Sequence, residues 1–377
     1  MSKRQNVVVV GSGGAGAPIA HSLSTTLNPS RHNLIVITSR PYFLHLPGSV
    51  RAAVTAEGDF AKQVQIPYEQ VIANGNGKFV VGEVKSISDE GTKGGFVTLT
   101  NGEEIQYSVL ILAPGSNWEG PLVVPTTKGA AAQHFSDWNA KFKQAQDIVL
   151  VGGGAVGIEF AGEIKDLNPS KNVTIVHGNK RILNDAYPDK FRKDVERRLR
   201  KRGINLVLGD IVPDGATSAG NSEKSLTTRN GKVLVADLVV PTRGPRPNTG
   251  FIAASLGDSV LSQNGFVPVS TTFQLPAYPR IFAAGDIADL KEQKQVAKYP
   301  GHAAVIAANV LSVLSGQKPT KAYKGATEMI IVTIGKEGGA SYMGVLWGLT
   351  FGNWFSAMVK SKTLLVPMAR KSLGLKD

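Results

Sequence analysis

The sequence predicts an α/β protein made of two Rossmann-like dinucleotide-binding units, with a small α+β segment at the carboxyl end. Three observations carry that prediction. Val7-Val8-Val9-Val10 reads as a buried parallel strand and runs into Gly11-Ser12-Gly13-Gly14-Ala15-Gly16-Ala17, a G-x-G-x-x-G turn. About 140 residues later the arrangement returns, with Asp147-Ile148-Val149-Leu150-Val151 leading into Gly152-Gly153-Gly154-Ala155-Val156-Gly157. The third is Arg280-Ile281-Phe282-Ala283-Ala284-Gly285-Asp286, a short apolar strand that ends in Gly-Asp. In each glycine turn the first glycine allows a tight bend. The second lets backbone approach a pyrophosphate, and the third lets helix and strand pack closely.

Composition narrows the chemistry. A chain of 377 residues has room for two or three domains, and 42% hydrophobic with 19% charged residues describes an ordinary globular protein. There is no cysteine, which excludes disulfides, zinc–thiolate sites, iron–sulfur clusters and a redox-active Cys-x-x-Cys pair. No metal site is expected. The net charge of +13 favours anionic partners such as phosphorylated cofactors or acidic membrane surfaces, and it serves solubility equally well. No nucleic-acid-binding motif accompanies it, so sequence-specific base readout is not expected. Met1-Ser2-Lys3-Arg4 runs straight into the first strand without a secretory signal, and Ser2 in place of glycine removes a myristoylation site. The uncharged stretch from Gly338 to Val359 holds five glycines and Asn353, which makes it interfacial or packed rather than spanning.

Taken in order, Ala17 to Leu27 is a helix closed by Asn28-Pro29, and Leu34-Ile35-Val36-Ile37 is the second strand. An acid commonly ends this strand and holds the ribose hydroxyls. Here Thr38, Ser39 and Arg40 follow, so a hydroxyl takes that part. The apolar segment Tyr42 to Val50 ends at Arg51, a candidate to neutralise a pyrophosphate. Phe79–Val84, Phe96–Thr100 and Glu104–Tyr107 form an antiparallel meander, with Asn101-Gly102 as a hairpin turn. Val109 to Leu112 is a buried strand ending in Ala113-Pro114-Gly115-Ser116. After the second glycine turn, Val173–Val176 ends at His177-Gly178-Asn179-Lys180-Arg181. No acid sits there, and two basic residues tolerate a 2′-phosphate, so NADPH stays open beside NADH. Asp189 to Arg202 is an amphipathic helix with Phe191, Val195 and Leu199 on its apolar face and a dense basic set elsewhere. His302 to Leu314 is an uncharged helix expected to pack inside the first unit.

Order and spacing of the three motifs resemble the flavoproteins with two dinucleotide-binding domains, the glutathione-reductase-like architecture. More narrowly, Tyr42 through Arg51, Ala155-Val156-Gly157-Ile158-Glu159, Gly285-Asp286-Ile287-Ala288-Asp289 and Met358-Val359-Lys360-Ser361-Lys362 resemble the apoptosis-inducing factor 2 and ferroptosis suppressor family, fungal members included. That family consists of FAD-dependent NAD(P)H:quinone oxidoreductases. The resemblance implies a discontinuous FAD domain at 1–117 and 245–316, an NAD(P)H domain at 118–244, and a carboxyl-terminal domain at 317–377. FAD would be contacted by Gly11, Gly13, Gly14, Gly16, Ala17, Thr38, Ser39, Arg51, Val81, Ala113, Pro114, Gly115, Gly285 and Asp286, with Lys294 and Gln295 beside them. Lys294, or the helix that starts near His302, is the candidate to stabilise the reduced flavin. Gly152, Gly154, Val156 and Gly157 would hold NADH or NADPH. Glu159 matches an acid placed near the nicotinamide, and Lys360 matches a functional tail lysine; these two are the candidate catalytic residues.

Hydride would pass from the nicotinamide to the flavin and electrons then to a quinone-type acceptor. The aromatic tail (Tyr342, Met343, Trp347, Phe351, Trp354, Phe355, Met358) is either a quinone channel and membrane-surface patch or ordinary core and homodimer packing. The expected location is the cytoplasm, peripheral on lipid droplets, mitochondria or other membranes. A flavin-dependent monooxygenase or tailoring oxidase and a low-turnover redox signalling protein remain as alternatives. The family's Ala-Thr-Gly turn is Ala113-Pro114-Gly115 here, which removes a hydroxyl near the flavin.

Overall fold

A computed structural model describes residues 4–214, 225–346 and 348–375; Ser2 and Trp347 lie outside them. The chain opens with β1 (Gln5–Val10), α1 (Gly16–Thr26) and β2 (His32–Thr38). Next come α2 (Leu46–Val54) and β3 (Lys78–Val81), then a meander of β4 (Val84–Asp89), β5 (Gly95–Leu99) and β6 (Glu104–Tyr107). β7 (Val109–Leu112) returns to the main sheet. The stretch read as one meander strand, Phe79–Val84, is divided. Its first half pairs parallel with β2, Thr38 opposite Val81, and the meander begins only at Val84. Gly82 sits at the break with its amide on the Thr38 carbonyl, where the chain leaves one sheet for the next.

The second unit holds α3 (Lys128–Gln144), β8 (Asp147–Val151), α4 (Ala155–Leu167), β9 (Asn172–His177), α5 (Asp189–Lys201), β10 (Ile204–Leu208) and β11 (Leu238–Pro241). The chain then goes back to the first sheet with β12 (Tyr278–Ala283) and α6 (Tyr299–Leu314). It ends in an antiparallel sheet of β13 (Met329–Thr333), β14 (Gly339–Met343) and β15 (Leu349–Phe351).

The first sheet runs β12-β7-β1-β2-β3, all parallel, with Gln274–Leu275 as an antiparallel edge; the second runs β10-β9-β8-β11, all parallel. Both have the strand order of a mononucleotide-binding half, which reverses direction beside the first strand. Alternation explains the burial of the valine run. Val7 and Val9 face α1 and α6, whereas Val8 and Val10 face the meander. A two-stranded ribbon of Ser116–Asn117 and Arg246–Pro247 lies where the chain crosses between the two units. Helix α2 belongs to the first unit by sequence, yet its Val50, Ala53 and Val54 pack into one core with Phe135, Phe142, Ile158 and Phe160 of the second. Among the described residues no helix is long and apolar enough to cross a membrane.

Candidate functional site

The two glycine turns have the same local geometry. Gly11 has φ +93° and Gly152 φ +128°, conformations that favour glycine, and a Cβ on either would collide with backbone of a neighbouring strand end. A Cβ on Gly16 would lie 1.9 Å from the Gly11 carbonyl oxygen, and one on Gly157 would lie 1.9 Å from that of Gly152. These third glycines are therefore required by helix–strand packing alone. The middle glycines differ: a Cβ on Gly13 or Gly154 would meet nothing within 4 Å. Their faces are open, at the amino ends of α1 and α4, where backbone amides and the helix dipole attract phosphate. Ser12 adds a buried Oγ with no hydrogen-bond partner at the first turn. Packing does not explain an open middle glycine or an orphaned hydroxyl. A dinucleotide pyrophosphate explains both, so the residues fit the FAD and nicotinamide dinucleotide they were read to hold.

Strand register gathers the first set of residues. Val10 pairs with Ile37 and Leu112, Leu112 with Ala283, and Thr38 with Val81. The segments beyond these positions, namely Gly11–Ala17, Thr38-Ser39, Val81, Ala113-Pro114-Gly115 and Gly285-Asp286, thus emerge along one carboxyl edge, where such sheets bind ligands. Ala17 is buried in the first turn of α1, and Gly14 faces Val296 and Tyr299. Thr38 is buried, Ser39 and Val81 exposed. Asp286 accepts from Ser116 Oγ at 2.8 Å and from the Tyr299 hydroxyl. The Gly285 amide donates to His302 Nδ1 at 3.3 Å, so the ring proton sits on Nε2 and faces Glu292 Oε1 at 3.0 Å. Burial holds His302 below the usual histidine range, with Glu292 opposing. Tyr299 and Glu292 were not anticipated; polar residues flanking a Gly-Asp turn and opening an uncharged helix were the available signal.

Three expectations need correction. Arg51 does not reach a pyrophosphate. Its guanidinium is 1% exposed and donates to both Glu163 oxygens, at 2.7 and 2.8 Å, and to the carbonyls of Ser361 and Lys362. Every nitrogen is committed because α2 packs against α4 and the tail rather than along the first sheet edge. Lys294 is not a free cation: its Nζ donates to the Ala288 and Leu290 carbonyls, and burial holds its pKa below the lysine range. Gln295 is a bridge, donating to the Tyr187 hydroxyl and the Met329 carbonyl.

The candidate catalytic pair does come together. Glu159 lies on α4 one turn before Glu163, and Lys360 lies on a π-helical turn, Ala357–Ser361. Lys360 Nζ is 2.6 Å from Glu159 Oε1 and donates also to the Ile331 carbonyl; the Thr333 amide donates to the same carboxylate. Thr333 leaves a buried Oγ1 without a partner beside this pair. Burial pushes the Glu163 carboxyl upward while its bonds to Arg51 pull it down. Two carboxylates one turn apart within the apolar first three turns of α4 were the signal for Glu163.

Most of the basic set on α5 and at its carboxyl end is engaged: Arg192 with Asp185 and Asp189, Arg197 and Arg198 with Asp194, Arg200 with Glu196, Arg202 with Asp166. The tail leaves Leu346, Trp354, Met358 and Met368 exposed.

Comparison with known proteins follows the same lines. The model of the pyridine nucleotide-disulphide oxidoreductase family matches residues 5–307. An FAD-dependent oxidoreductase of Flammulina velutipes is 47% identical over 82% of this chain and 95% of its own. Ferroptosis suppressor protein 1 of Taeniopygia guttata is 32% identical over 98% of this chain and 95% of its own. Among solved structures, the sulfide:quinone oxidoreductase of Aquifex aeolicus has a TM-score of 0.76 at 19% identity, covering 98% of this chain and 92% of that one.

Proposed function

The chain belongs to the pyridine nucleotide-disulphide oxidoreductase family, and from that premise we propose that it is an FAD-dependent enzyme that oxidises NADH or NADPH and delivers the electrons to a quinone. The observation that carries this reading is the pair of matched glycine turns, each with an open middle glycine, on two parallel sheets of one chain. Two dinucleotides held in one protein are the requirement for hydride transfer between them. The turn at Gly11–Gly16 takes the ADP half of FAD, and Gly285-Asp286 its ribityl and phosphate side. Gly152–Gly157 takes the nicotinamide dinucleotide. FAD supplies a two-electron carrier between hydride donor and quinone; the protein supplies orientation and charge.

Asp286 is oriented for hydroxyl groups by Ser116 and Tyr299. Glu159 and Lys360 neutralise one another where α4 meets the tail, which holds the carboxylate in place. With no cysteine in the chain, no thiol relays electrons, so they leave for an external acceptor. A quinone is the acceptor that the sequence resemblance implies, and the exposed Leu346, Trp354 and Met358 give a lipophilic molecule an apolar surface to approach.

The test is spectroscopic. Purified protein should be yellow, lose its visible flavin band on anaerobic NADH or NADPH, and regain it when a quinone is added. A colourless protein, or a band that neither nucleotide bleaches, would overturn the reading; reoxidation by other acceptors but not by quinones would remove the quinone alone.

A further inference from the structure

We propose that the second dinucleotide site selects NADPH over NADH, with Lys180 reading the adenosine 2′-phosphate and His177 standing where an excluding carboxylate would be. The inference rests on the assignment of Gly152–Gly157 to the nicotinamide dinucleotide.

Position is the first ground. Strand β9 ends at His177, about 20 residues past Gly157, the place from which an acid binds the ribose hydroxyls of NADH and repels a 2′-phosphate. Here the imidazole lies against the glycine turn. Its Nδ1 accepts the Gly153 amide at 3.1 Å, and a Cβ on Gly153 would come within 2.9 Å of the ring. Burial holds His177 below the usual histidine range, so the ring is neutral near pH 7 and puts no negative charge at the ribose.

Charge is the second. The loop leaving His177 carries Lys180, which is exposed and makes no hydrogen bond or ion pair among the described residues. Arg181 follows, and its partner Glu196 is shared with Arg200, at 3.0 and 3.5 Å, so one carboxylate serves two guanidinium groups and the edge stays positive. The carboxylate beside this edge is spent. Asp210, whose amide donates to the His177 carbonyl, accepts from the Thr228 hydroxyl at 2.6 Å and from the Ile211 and Asn230 amides. Among the described residues a ribose 2′-hydroxyl finds no free carboxylate at this edge, whereas a 2′-phosphate finds an uncommitted ammonium and a surplus of positive charge.

The experiment is calorimetric titration of the flavin-loaded protein with adenosine 2′,5′-bisphosphate and with 5′-AMP, which needs no turnover. The bisphosphate should bind about tenfold tighter or more, and Lys180→Ala should erase most of that difference while 5′-AMP binding holds. Lys180→Glu should reverse the preference. Equal affinities in the parent protein, or a preference that Lys180→Ala leaves intact, would overturn the proposal while the nicotinamide site itself stands. Binding of neither nucleotide would overturn the proposal and the underlying assignment together.

Discussion

A guanidinium with 1% of its surface exposed has to be neutralised where it lies, and Glu163 does this for Arg51 with two parallel hydrogen bonds. Forming such a pair gains little over an apolar contact, because both ions lose hydration, but removing one partner strands the other. Arg51→Met is therefore expected to lower unfolding stability by about 3 kcal/mol or more in a denaturant titration. An unchanged midpoint would mean that the pair is not formed in solution. Glu159 and Lys360 obey the same logic. Either Glu159→Gln or Lys360→Met alone should cost roughly 3 kcal/mol, and the double variant should recover much of the loss. Strict additivity of the two would show that they do not act as a pair. The same variants separate fold from chemistry. If Glu159 positions the nicotinamide, Glu159→Gln should slow flavin reduction while flavin content is retained, and unchanged reduction kinetics would place the residue outside the reaction.

At the scale of the element, the strand–turn–helix units predict opposite outcomes for neighbouring glycines. Gly16→Ala drives a Cβ into the Gly11 carbonyl and should yield insoluble or flavin-free, destabilised protein. Gly13→Ala meets no protein atom, so it should fold normally and lose flavin, because the methyl group occupies the open face. Gly154→Ala should fold, keep its flavin and bind NADH or NADPH at least about tenfold more weakly. Retention of full nucleotide affinity there would refute the assignment of the second turn. These units were legible in the sequence because their signals are local: a β-branched run, three glycines at fixed spacing, a helix. The division at Gly82 was harder to read, since β3 is assigned to the first sheet by its pairing with β2, about 40 residues upstream, which is not a local signal. Arg51 was misread for a related reason. An apolar segment that ends in arginine is compatible with a phosphate site or with a buried pair, and its partner is 112 residues away.

For the molecule as a whole, separate stretches of chain are joined by buried polar groups, and their titration sets how the assembly responds to pH. His45 donates from Nε2 to the Leu364 carbonyl, His177 backs the second glycine turn, and His302 backs the Gly285-Asp286 turn. Burial is the largest influence on each and depresses its pKa below 6.5 in the folded protein. The unfolded chain regains the ordinary histidine value. Below pH 6.5 it therefore binds protons that the native state refuses, and stability falls as pH falls, by up to about 1.4 kcal/mol per pH unit for each such histidine. Above that value the contribution is fully present. Glu163, pushed upward by burial, acts with the opposite sign, since its native state takes a proton more readily than the unfolded chain. One carboxyl of this kind against three histidines leaves the net slope with the histidines. Melting temperature should thus be level from about pH 8 to pH 7 and decline steadily towards about pH 5.5. His45→Gln, which removes one of the three without touching either glycine turn, should make that decline shallower. A melting temperature that holds or rises over the acid range would show that these imidazoles are solvated in the native state.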